Sequence, residues 1–164
     1  MWDEIAAAAA AESTLWAEAL LPRERQAREA VFSTFGPPTE AVGLETIYEG
    51  YLLHYGRPRL FSPPDADAAL LLGDYLYAQG LVRVARGGDV DAVADLAELI
   101  SLCAQLRAEH STEDGPAWAA SVALLGRGVL KETENGEELL SRAREAAGEE
   151  AVDRSLEAHA RRVG

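Results

Sequence analysis

The chain is short of lysine, cysteine and long apolar runs, and each shortage excludes something. Of its 164 residues only Lys131 is a lysine; Lys and Arg together number 15 against 28 Asp and Glu, leaving a net charge of −13. A surface that acidic repels phosphate backbones and anionic headgroups, so nucleic acid and membrane surfaces are poor partners. The single cysteine, Cys103, excludes an intrachain disulfide framework and a multi-cysteine zinc site. Cys103 stands in an apolar run and reads as a small core residue. No apolar run reaches the ~20 residues of a membrane-spanning helix. The alanines from Ala6 to Ala11 are too few, and Glu12 closes them. The start, Met1-Trp2-Asp3-Glu4, is negative where a secretory signal is positive. The expected compartment is therefore the cytoplasm, where a lone thiol stays reduced. Arginine-for-lysine usage and abundant alanine fit a GC-rich, bacterial coding sequence.

What is present points to helix. Hydrophobic residues make up 48% and charged ones 26%, a balance that lets a chain of this length bury a real core. Ala, Leu, Glu and Arg dominate, all strong helix formers, and no hairpin signal appears. The pattern predicts an all-α, single-domain helical bundle of about seven to eight helices. Prolines and glycines divide it. A helix over Asp3–Leu20 ends before Pro22, and a second over Pro22–Phe35 stops at Gly36-Pro37-Pro38. A third over Thr39–His54 breaks at Gly56-Arg57-Pro58. Asp65 caps an apolar helix from Ala66 to about Arg86, and Asp89 caps another over Val90–Glu109. Asp114 opens a helix through Trp118 that Gly126 closes. Asn135 with Glu138 makes a capping-box-like start for a helix to Ala147, and Gly148 separates a last one carrying Val152, Leu156, Ala160 and Val163. These last two are highly charged with thin apolar stripes. Residues 1–126 therefore read as the bundle core and 127–164 as a charged C-terminal helical extension.

Two stretches carry the functional signal. Glu45 to Pro58 reads E-T-I-Y-E-G-Y-L-L-H-Y-G-R-P, and Ala68 to Ala78 reads A-A-L-L-L-G-D-Y-L-Y-A. Together they resemble the all-helical trans-polyprenyl diphosphate synthases. In that family a helix of form D-D-x-x-D is followed by R-R-G-[KR]-P, and a later helix contains G-D-Y-L. Gly56-Arg57-Pro58 lines up with the first signature and Leu72-Gly73-Asp74-Tyr75-Leu76 with the second. The pattern from Gly88-Asp89 to Gly126 is similar to the next family helices, so the resemblance spans residues 45–126. It implies a bundle like the central helices of the isoprenoid synthase fold.

The departures set the functional expectation. Glu45, Thr46 and Glu49 stand at the three aspartate positions, whose carboxylates hold magnesium in the family. Glu45 and Glu49 are four apart, share a helix face and are the candidate metal ligands, but Thr46 removes the adjacent charge. His54 and Tyr55 replace the arginine pair and supply none of its diphosphate-binding forks. The upstream lysine- and arginine-rich motif and the second aspartate-rich motif are both missing. Metal-assisted departure of diphosphate needs more ligands and cations than these. The expectation is a non-catalytic polyprenyl-synthase-like protein, an accessory, regulatory or scaffold subunit without a cofactor. It would act through a protein partner or self-association as a homo-oligomer. The alternatives are an isoprenoid- or quinone-binding protein that retains an apolar cavity, and a reduced but active magnesium-dependent prenyltransferase using Glu45 and Glu49. Candidate cavity or interface residues are Asp74, Tyr48, Tyr75, Tyr77, His54 and Arg57. Asp74, inside an apolar helix, is expected to be buried against an arginine, with Arg57, Arg59 and Arg83 as candidates. His54, His110 and His159 have no ligand spacing.

Overall fold

In the computed structural model, which describes residues 1–133 and 135–163, helix α3 (Ala41–Tyr55) runs through the middle and is buried from Gly43 to Leu53. Before it lie α1 (Trp2–Glu12) and α2 (Thr14–Glu18). After it come α4 (Ala66–Ala85), α5 (Val90–Ala108), α6 (Asp114–Ala123), α7 (Val129–Glu132), α8 (Gly136–Ala147) and α9 (Glu149–Val163). Among the described residues these are the α-helices, there is no strand, and one isolated antiparallel bridge joins Leu20 to Phe61. The fold is the all-α, single-domain bundle that composition predicts.

Helix starts follow their caps. The side chains of Asp65, Asp89 and Asn135 accept from the backbone N–H groups of Ala68, Ala92 and Glu138 at 2.8, 2.9 and 3.0 Å. Each satisfies a donor that the helix itself cannot. Helices α3 and α4 then pack unusually closely. Gly43 and Gly50 on α3, and Gly73 and Gly80 on α4, each recur after seven residues, about two turns. A Cβ on Gly50 would stand 2.9 Å from the Gly73 carbonyl oxygen, and one on Gly80 2.9 Å from that of Gly43. The two backbones touch along this seam, so side chains there would push the helices apart.

Three expectations change. The first helix breaks at Ser13, whose backbone is extended and whose hydroxyl accepts from Leu15 N–H at 3.2 Å to start α2. The helix expected over Pro22–Phe35 is absent, apart from a 3-10 turn at Arg23–Arg25. Its backbone groups are claimed by neighbours. Ala27 N–H donates to the Arg59 carbonyl at 3.0 Å, and the Glu29 carbonyl accepts from Arg59 Nη1 at 2.9 Å. The Val31 and Ser33 N–H groups donate to Glu45 at 3.2 and 3.4 Å, and the Val31 carbonyl accepts from Ser155 Oγ at 2.8 Å. Tertiary partners outweigh helix propensity there.

The C-terminal helices are also not an extension. Leu139 and Ala143 on α8, and Val152 and Ala158 on α9, belong to the same buried core as Tyr48, Tyr51 and Trp118. Thin apolar stripes suffice because both helices lie flat against α6. The turn that follows α6 is held by α5: Asp95 accepts from Gly126 and Gly128 N–H at 2.8 and 3.1 Å. Both glycines have left-handed backbones, which the turn requires.

Candidate functional site

Glu45 and Glu49 share one face of α3, as their spacing requires, and that face looks inward. Opposite it the chain leaves α3 through Gly56-Arg57-Pro58 and delivers Arg59, fully buried, between the two carboxylates. Arg59 Nε donates to Glu49 Oε2 at 2.9 Å, and Nη1 donates to Glu45 Oε2. The remaining donors reach the carbonyls of Glu29 and Glu45. Glu49 Oε1 accepts from the backbone N–H of Arg59 and Leu60 at 2.8 and 2.7 Å. Glu45 Oε1 accepts from Ser33 Oγ and from the N–H groups of Val31 and Ser33. The faces of the guanidinium are covered by Trp2 and Tyr48, with ring centroids at 4.8 and 4.9 Å. Burial alone would lower the Arg59 pKa, but the two carboxylates outweigh it and hold the value above the ordinary range. The pair expected to hold a metal therefore holds an arginine, and its oxygens are spent on protein donors.

A second buried network lies beside the first. Tyr48 links the two, since its hydroxyl sits 3.0 Å from His159 Nδ1 on α9. His159 Nε2 lies 3.2 Å from Asp114 Oδ2 at the start of α6. The same oxygen accepts from Tyr51 and, at 2.6 Å, from Arg107 Nη2 on α5. Arg107 also donates to the Tyr51 hydroxyl at 2.9 and 2.7 Å. Burial would raise the Asp114 pKa; hydrogen bonds from His159 and Tyr51 and the Arg107 charge reverse that and bring it down to about 2. Phe32 stacks on Trp118 at 5.6 Å and packs edge-on to Tyr48 at 5.4 Å, while Arg107 reaches the network from a partly exposed position on α5.

The other candidates scatter. Asp74, expected to be buried against an arginine, is exposed on α4 and stands 3.2 Å from His54 Nε2, outside hydrogen-bonding direction. His54 stacks on the half-buried Tyr77 at 5.1 Å. Burial lowers the His54 pKa more than Asp74 raises it. Tyr75 donates to the Ala8 carbonyl at 3.3 Å and packs on Trp16. Arg57 is exposed and donates to the Arg161 carbonyl, tying the end of α9 to the turn after α3. Tyr48 is buried in the core, and Cys103 is buried as expected, its thiol pushed up by burial.

The sequence reading missed Asp114, Arg107 and His159 as a set, and considered Arg59 only for Asp74. Arg107 and His159 lie 56 and 111 residues from the tyrosines they meet, so no local spacing joins them. Only Arg59, the residue immediately after the Gly56-Arg57-Pro58 turn, was within reach of a local reading. The fold and its interior define the protein as a helical bundle organised around two adjoining buried polar networks. No family model, curated protein or solved structure matches the chain.

Proposed function

We propose that the chain is a non-catalytic helical interaction module, the accessory or scaffold form of a polyprenyl-synthase-like bundle. The observation that carries this reading is the Glu45–Arg59–Glu49 cluster. Magnesium needs several open oxygens in octahedral array, and here both carboxylates are occupied by a cation within the protein. A metal ion would have to displace Arg59 and strand its charge in the interior. The isoprenoid-binding alternative needs apolar space beside α3 and α4, where the glycine seam leaves the two backbones in contact. The surface grooves are instead bordered by charge; one of about 300 Å³ is lined by Glu29, Arg57, Ala158, Arg161 and Arg162. Among the described residues the large apolar side chains exposed to a partner are Met1, Leu15, Leu70, Leu71, Val82 and Val90, three of them on α4.

The test is to incubate the purified chain with magnesium and an allylic diphosphate and to measure released pyrophosphate. Release equal to the metal-free control is expected. Magnesium-dependent release would overturn the reading in favour of the prenyltransferase alternative.

A further inference from the structure

Where arginines of this chain pair with carboxylates on the surface, the contact is close: Arg107, Arg142 and Arg144 hold theirs at 2.6, 2.5 and 2.7 Å. Arg161 and Arg162, on the last turn of α9, do not. Both face Glu29, at 3.8 and 3.9 Å, beyond hydrogen-bonding distance. Arg57 forms no ion pair among the described residues. These three arginines, with Glu29 and Ala158, line the groove of about 300 Å³. Arg162 is the least satisfied of them. Its side chain is only 16% exposed, yet its hydrogen bond to the Arg57 carbonyl is a long one of 3.5 Å. Burial and the charge of Arg59 lower its pKa, the mark of a cation short of counter-charge.

The groove is fixed in shape. The Arg57 N–H donates to the Arg162 carbonyl at 3.0 Å, and Arg57 Nη2 donates to the Arg161 carbonyl. A Cβ on Gly56 would stand 2.9 Å from the Arg162 carbonyl oxygen, so the turn after α3 lies directly on the end of α9. The same bonds cover carbonyls at the negative end of the α9 dipole, which would otherwise repel an anion. A second groove of about 230 Å³ shares Glu29 and Ala158 and continues along α9 past Ala151, against Ala30 and Val31. The hydroxyls of Ser155 and Thr34 there are spent on backbone carbonyls. Arg154, which also lines it, is held by Glu150 at 3.3 Å. Glu157, one turn before Arg161, lines neither groove.

We infer that the two grooves together bind a small organic acid, its carboxylate on the forks of Arg57, Arg161 and Arg162 and its short apolar body over Ala158 toward Val31. Planar guanidinium forks match a carboxylate bidentately. Glu29 is the internal competitor, a carboxylate already drawn to Arg161 and Arg162 but too far away to bond with either. A monoanion replaces it charge for charge, whereas a phosphate dianion beside Glu29 would be repelled more strongly. Within a chain of net charge −13, three arginines against one carboxylate reverse the local sign. Arg161 and Arg162 lie outside residues 45–126, so the site does not derive from the resemblance, and it stands apart from the interaction-module reading.

The experiment is isothermal titration calorimetry of the full chain with hexanoate, acetate and inorganic phosphate at constant ionic strength, with circular dichroism of each variant. Hexanoate is expected to saturate a single site, several-fold more tightly than acetate and more tightly than phosphate. Arg162→Gln should weaken hexanoate about tenfold or more, as loss of a charge-assisted hydrogen bond does. Glu29→Gln should tighten it several-fold by removing the competitor, a gain that a disturbed α9 would not produce. Absence of saturable hexanoate binding in both the wild type and Glu29→Gln overturns the inference, as does binding that neither substitution shifts. Phosphate binding more tightly than hexanoate overturns the carboxylate assignment, and acetate matching hexanoate overturns the role of the second groove.

Discussion

At the scale of single residues, Arg59 decides the interior. Its planar fork serves two carboxylates and two carbonyls at once, which a lysine ammonium on its flexible stem does not match. Removing it strands Glu45 and Glu49 in the core. Arg59→Met is expected to lower unfolding stability by about 3–5 kcal/mol in urea titration, the range for breaking a buried pair from one side. A loss under about 1 kcal/mol would show that the cluster is not holding the fold. Asp114 adds a pH dependence. Its folded carboxyl is held at about 2 against 3.8 for the free group, so between those values the unfolded chain binds more protons than the folded one. The stabilisation it supplies is complete above about pH 4 and is lost as pH falls toward about 2. Asp114→Asn is expected to flatten that acid limb when stability is measured across the interval. An unchanged slope would place the acid sensitivity elsewhere.

At the scale of elements, the same residue type takes opposite values in different settings. A glycine inside a helix costs roughly 1 kcal/mol relative to alanine, so Gly→Ala at an open helical position stabilises. At Gly80 the added methyl meets Ile47 and the backbone of Gly43, and overpacking of about 1–3 kcal/mol is the larger effect. Gly80→Ala is therefore expected to lower the midpoint of thermal unfolding despite its better helix propensity, and a raised midpoint would refute the close α3–α4 seam. The seven-residue recurrence of Gly43 with Gly50 and of Gly73 with Gly80 was present in the sequence. It is legible only once both segments are taken as helices that cross. The segment from Pro22 to Phe35 is the converse case. Its residues favour helix, yet its backbone is drawn out by Glu45, Arg59 and Ser155, and local propensity contains no trace of those partners.

At the scale of the whole molecule, the charge imbalance is partly internal. Among the described residues Glu45, Glu49, Asp95 and Asp114 are buried carboxylates, while Arg59 is the one buried arginine or lysine. Backbone N–H groups make up part of the difference, Arg59 and Leu60 at Glu49, Gly126 and Gly128 at Asp95. Buried carboxylates here act as staples between distant segments, which is the work that disulfides do in cysteine-rich domains. The same scale decides the C-terminus: α9 carries His159 into the second network and Val152 into the core, so residues after 126 complete the bundle. Pyrophosphate release is the whole-molecule readout for the chemistry.

The sequence by itself determined the helical class, the caps at Asp65, Asp89 and Asn135, and the shared face of Glu45 and Glu49. All of these are set by neighbours within a turn or two along the chain, where spacing and side-chain chemistry are enough. Only the tertiary structure decided what those two carboxylates face, that Asp74 looks outward, and that His159, Asp114, Arg107 and the α3 tyrosines meet. Such contacts join residues far apart in the chain. They are fixed by how closely the helices pack and by the requirement that every buried charge find a partner, and neither condition has a period that a sequence can display.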